Sequence, residues 1–151
     1  MPEIEYAFLA DAAQASPGDK FSVLGGGVSR LASRTVPFRH PHLALLIALK
    51  VTAAEAGRAH EVRFVLLDPD GRELAGAGGV VQAGPPPNAR DSLVTFVVDL
   101  WNVGFDRAGD HSFRILVDGS ERKRLPLVVE QLPGEPGPPF QAFGDGGTSV
   151  N

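Results

Sequence analysis

The chain contains no cysteine, which excludes disulfides, zinc ribbons, iron–sulfur clusters and thiol nucleophiles. It also lacks a long hydrophobic run. The longest, Leu43 to Leu49, is far short of the roughly 20 residues a membrane helix needs. Glu3 and Glu5 stand where a signal peptide carries basic residues, and Asp11 breaks the short apolar stretch behind them. These absences predict a soluble, cytoplasmic protein with no membrane insertion and no cofactor.

Charge of one sign is missing too. The net charge is −4, and lysine occurs only at Lys20, Lys50 and Lys123. The broad basic footprint of a nucleic-acid binder is therefore absent. The single basic cluster, "ERKRL" at 121–125, has no stacking aromatics nearby, and on a strand its residues alternate between faces. A solvated strand accounts for it, and no nucleic-acid partner is expected.

Familiar catalytic signatures are also wanting. There is no G-x-S-x-G elbow, no H-E-x-x-H pair and no Walker loop with its Lys and Ser or Thr. "VLGGGVSRL", with Gly25, Gly26 and Gly27, lacks the spacing of a dinucleotide fingerprint and a following helix. Glycine there fits a bulge or a sharp corner after a strand.

What remains is β-structure in a 151-residue chain, about one domain in size. Short apolar runs cut by Gly, Pro and Asp predict strands near 3–10, 20–25, 42–51, 60–67, 72–82, 93–100, 111–118 and 121–130. The expected fold class is all-β: an antiparallel two-sheet sandwich, immunoglobulin-like or of similar Greek-key topology, over residues 1–131. Two hairpins are explicit. In "FRILVDGSERKRLPLVV", Asp118-Gly119 supplies the positive φ of a tight turn, and Pro126, which cannot donate to a ladder, predicts an edge or a bulge. In "VRFVLLDPDGREL", Asp68-Pro69-Asp70-Gly71 turns the chain. This acidic turn is no EF-hand loop, because Gly79 stands where the bidentate Glu belongs.

Residues 83–92, with three consecutive prolines, predict a surface loop, and residues 132–151 a Pro/Gly-rich tail. Phe140 and Phe143 stand out in the tail, as aromatics that fold back on the domain or dock into another protein.

Two strands are apolar on both faces. "HLALLIALKV" shows Leu43, Leu45, Ile47 and Leu49 on one face and Ala44, Leu46 and Ala48 on the other; "LVTFVVDL" repeats the pattern. A two-layer fold covers one face of each sheet, so the second face needs the tail, another copy or a different protein. Leu43, Leu45, Ile47, Leu49, Phe140 and Phe143 are thus the candidate interaction surface, and a protein partner or self-association is expected.

The histidines are His40, His42, His60 and His111. His40 and His42 share a strand face, the arrangement cupins use for a metal, but Pro41 intervenes and only aliphatics follow where a cupin has Glu. A direct hairpin of 42–51 with 60–67, pairing by a constant sum of about 110, would place His42 opposite Asp68 and His40 near Asp70. That arrangement offers either a metal-dependent site or a hydrogen bond closing the turn. His111, at a strand mouth, is expected to cover the core edge. Trp101 is read as a core cap or, alternatively, as a stacking platform for a small ligand or carbohydrate.

The succession "EYAFLADAA", "GDKFSVLGGGVSRL", "PFRHPHLALLIALKV", "HEVRFVLLDPDGREL" and "GDHSFRILVDGSERKRLPLVV" resembles a family of small bacterial proteins catalogued only as a domain of unknown function. The resemblance covers about residues 4–130. It implies a β-sandwich and carries over no activity, cofactor or catalytic residue. The function expected is a non-enzymatic protein-interaction or structural module, an oligomer or an accessory subunit. The alternatives are a ligand-binding module using Trp101 and a metal-dependent enzyme using His40, His42, Asp68 and Asp70.

Overall fold

A computed structural model of the chain describes residues 1–16, 20–84 and 90–134. Phe140 and Phe143 lie outside them. The described residues form nine strands and no helix. In chain order these are β1 (Glu3–Ser16), β2 (Lys20–Gly26), β3 (Arg30–Ser33), β4 (Phe38–Val51), β5 (Ala59–Leu67), β6 (Glu73–Gln82), β7 (Ser92–Phe105), β8 (Gly109–Val117) and β9 (Ser120–Gln131). Since no helix is formed by these residues, none is long and apolar enough to cross a membrane.

The strands make two sheets, a first in the order β2-β1-β4-β7 and a second in the order β3-β9-β8-β5-β6. Every pairing is antiparallel except that of β3 with β9. One apolar core draws side chains from both sheets. The first contributes Ala7, Leu9, Leu43, Leu45, Ile47, Leu49, Leu100, Val103 and Phe105; the second contributes Val62, Phe64, Leu66, Phe113, Ile115, Val117, Leu127 and Val129. Period-two alternation in β5, β8 and β9 places these side chains inward and leaves the intervening polar ones wet.

Both hairpins form where turn chemistry marks them. Between β8 and β9, Asp118 at φ 48° and Gly119 at φ 83° make a two-residue turn. Between β5 and β6, the Asp68 carboxylate accepts the N–H groups of Asp70 and Arg72 and so fixes its own turn. Hydrogen bonds from these two amides hold the Asp68 carboxyl below the ordinary carboxylate range. Pro126 lies opposite Ser112 of β8, while β3 reaches β9 only from Val128 onward. Its missing N–H therefore falls where β9 has no second neighbour.

Three expectations need correction. The direct hairpin of β4 with β5 does not form: β4 runs between β1 and β7, and the chain crosses to the second sheet before β5. A strand apolar on both faces belongs at a sheet centre, whereas β5 alternates and suits a sheet with one wet face. Consequently His42, Leu46 and Lys50 stand opposite Trp101, Val97 and Leu93, not Asp68, Phe64 and His60. A ninth strand, β3, went unforeseen because four residues with one core side chain, Leu31, carry no period. Finally, β7 runs on to Phe105, since Asn102 takes a left-handed φ of 51° without ending the ladder.

Candidate interaction surface

The second apolar face of β4 is covered, and the chain covers it itself. Ala44, Leu46 and Ala48 are as fully buried as the core residues, although they point away from the core. Leu46 is flanked in register by Phe8 of β1 and Val97 of β7. Phe21 of β2 pairs with Ala15, nine positions along β1 from Tyr6, which in a straight strand is roughly 30 Å. Yet its ring lies 6.0 Å from that of Tyr6 and 6.3 Å from that of Phe8. The far half of the β1–β2 hairpin therefore bends back over the outer face of the first sheet. The bend lies at Asp11 and Gly25, where Gly25 has φ 60° and a Cβ would collide with the Asp11 carboxylate. The glycine run thus makes a corner.

With that face closed, Leu43, Leu45, Ile47 and Leu49 offer no contact surface. All four lie in the core at 0–1% exposure. Among the described residues, the large apolar side chains most open to solvent are instead Leu24 at 72%, Val80 at 69% and Trp101 at 68%. Val80 and Trp101 border two adjoining hollows. Among the described residues, strands β6 and β7 are the unpaired edges of the second and first sheets, and they line one cleft together. Between them lies an apolar cleft of about 310 Å³, floored by Ile47, Val62 and Phe64 and walled by Val80, Phe96 and Val98. A second, more polar hollow of about 430 Å³, which shares Phe64 with the cleft, is bordered by Arg39, Trp101, Asn102 and Asp106. Gly76, Gly78 and Gly79 on β6 leave this seam without side chains to close it.

Trp101 is exposed, not a core cap. Its indole stacks on His42 at 4.1 Å between ring centroids, with 27° between planes. His42 Nε2 in turn donates to Asp99 Oδ1 at 2.7 Å. Arg39 Nη1 donates to the Asn102 carbonyl at 2.8 Å and steadies the bend after the tryptophan. His40 stands opposite Val103. Asp68 and Asp70 belong to the β5–β6 turn, where Asp70 pairs with Arg107 at 2.9 Å. His40, His42, Asp68 and Asp70 are therefore not gathered into one constellation. Among the described residues no three His, Asp or Glu side chains are placed to hold a metal ion.

The buried histidines serve the fold. His111, 2% exposed, meets the Phe105 ring edge-on at 5.2 Å, and its Nδ1 lies 3.1 Å from the Gly109 carbonyl. His60 Nδ1 donates to Asp118 Oδ2 at 2.9 Å and Nε2 to the Glu55 carbonyl at 3.1 Å. The Asp118 carboxylate raises the His60 pKa above its ordinary value, and His60 and the Glu61 N–H hold Asp118 below its own.

A family model matches residues 5–130, nearly all of this β-structure. The chain belongs to the family of unknown function DUF6941. No curated protein matches this DUF6941 chain. Among solved structures it is similar to the Pseudomonas fluorescens alkylpurine DNA glycosylase AlkC bound to DNA containing an abasic site analog, with 12% identity and a TM-score of 0.46 over 85% of this chain and 30% of that one. It is also similar to the Listeria innocua beta-glucosidase in complex with isofagomine, with 14% identity and a TM-score of 0.44 over 85% of this chain and 16% of that one. The chain spans less than a third of either enzyme.

Proposed function

We propose that this DUF6941 protein is a non-enzymatic interaction or structural module, an oligomer or accessory subunit of a larger assembly, built as an immunoglobulin-like sandwich. The strand order supports the Greek-key assignment. Strands β1, β4 and β7 correspond to A, B and E of such a fold, β5, β8 and β9 to C, F and G, and β6 to the additional C′ strand. One observation carries the functional reading: among the described residues, two neighbouring sheet edges leave an apolar cleft open between them, walled by the exposed Val80, with the exposed Trp101 in the polar hollow beside it. Unpaired strand edges beside exposed apolar side chains are what protein partners dock on. The test is association of the purified chain, followed by sedimentation and by retention of proteins from its host. Val80→Glu, on the open wall of the cleft, should abolish association without altering the circular dichroism. A strictly monomeric chain that retains nothing would sink the proposal.

A second reading rests on Trp101 itself. An indole with one face on His42, beside Arg39, Asn102 and Asp106, offers a stacking platform with polar neighbours, suited to a sugar or another small ring. Titration of Trp101 fluorescence with a panel of saccharides and metabolites tests it. The expected result is saturable quenching by one class; no response to any of them removes this reading.

A further inference from the structure

We infer that the partner at the seam is a second copy of this chain, joined by antiparallel pairing of β7 with β7 about a twofold axis at Val97. The inference deepens the interaction-module reading and rests on it. Among the described residues, strand β7 is paired on one side only. From Ser92 to Asn102 it reads "SLVTFVVDLWN", with no Lys, Arg or Pro and with Asp99 as its one charge. Natural edges of this length, roughly 35 Å, carry gatekeepers of those types to prevent pairing. In the immunoglobulin-like order a further strand, D, lies antiparallel against E. Here β7 takes the place of E, and no described strand takes the place of D.

The sequence fits itself in one register. Centred on Val97, antiparallel pairing sets Thr95 opposite Asp99 of the second copy and Leu93 opposite its Trp101, and on the core side Phe96 opposite Val98 and Val94 opposite Leu100. Residues facing each other across such a ladder have Cβ atoms about 4.5–5.5 Å apart. The first two juxtapositions each answer a feature of the single chain. The Thr95 hydroxyl has no hydrogen-bond partner there, and after a χ1 rotation it can donate to the facing Asp99 carboxylate, whose Oδ1 alone is engaged by His42. The indole of Trp101, 68% exposed, lies on a leucine. The two Asp99 carboxylates fall four positions apart, so like charges do not face each other. Moving the centre to Thr95 would instead set Asp99 against Asp91.

The experiment is sedimentation velocity of the full chain across a roughly hundredfold concentration range, with Trp101, the single tryptophan, as an internal reporter. A dimer should form as its emission moves to shorter wavelength. Val97→Lys, which sets two ammonium groups together on the axis, should weaken it by about tenfold or more. Because the chain has no cysteine, Val97→Cys should give a disulfide-linked dimer under mild oxidation, and Leu93→Cys should not. A chain that stays monomeric with unchanged emission overturns the inference, and needs no substitution to do so. So does a dimer that tolerates Val97→Lys or crosslinks through Leu93→Cys. A monomer that still retains another protein overturns the dimer alone, whereas one that retains none overturns the seam reading as well.

Discussion

His60 has two acceptors and no donor around its ring: the Asp118 carboxylate at Nδ1 and the Glu55 carbonyl at Nε2. Only the imidazolium satisfies both, which is why its pKa is raised. The linkage then has a definite sign. Stability from His60 is full below the ordinary imidazole value and is lost as pH rises through its raised folded-state value. Asp118, whose pKa is lowered, contributes above the ordinary carboxylate value and loses its share as pH falls through the lowered one. His60→Gln should therefore lower the melting temperature most between about pH 4 and about pH 6.5, and progressively less in alkali. A deficit independent of pH, measured by thermal melts in matched buffers, would refute the imidazolium. Gly25 tests the corner in the same way. Its left-handed φ and its contact with Asp11 predict that Gly25→Ala costs about 1–2 kcal/mol or more in urea unfolding, whereas Gly84→Ala, in open space at ordinary φ, should be nearly silent.

At the scale of elements, the β1–β2 hairpin is the piece that makes the first sheet self-sufficient. Its Phe21 ring packs on Tyr6 and Phe8 above the buried Leu46. Phe21→Ala should cost about 1–3 kcal/mol and should open the outer face to a hydrophobic dye such as anilinonaphthalene sulfonate. An unchanged urea midpoint and no added dye fluorescence would show that the hairpin is not the cover. The need for a cover was legible in the sequence, because "HLALLIALKV" has no polar face; its identity was not, since the bend at Gly25 acts between residues far apart along the hairpin. The β5–β6 and β8–β9 hairpins were legible for the opposite reason. Asp68 to Gly71 and Asp118-Gly119 fix their turns with local chemistry alone. The link from β4 to β5 has no such signature. A hairpin and a crossover fit those residues equally well, and the long-range pairing of β4 with β7 decides between them. Trp101 and the cleft were hidden for a related reason: an edge strand is defined by the neighbours it lacks.

At the scale of the whole molecule, neither sheet is drawn from one stretch of sequence. The chain passes between them five times, at β2–β3, β3–β4, β4–β5, β6–β7 and β7–β8. Each sheet supplies one side of the same core, from Leu45, Ile47 and Phe105 to Phe64, Phe113 and Ile115. A sheet alone would expose its whole inner face and would also lose the crossovers that set its register. The two sheets should thus unfold together. Trp101 reports from the first sheet, whereas far-ultraviolet circular dichroism reports from both. At concentrations low enough to keep the chain monomeric, urea transitions followed by the two signals should coincide in midpoint and slope. Phe113→Ala, in the second sheet and fully buried, should then move both curves by the same amount, about 3–5 kcal/mol. If the Trp101 transition stayed in place while the dichroism curve shifted, the shared core would not be what joins the two sheets.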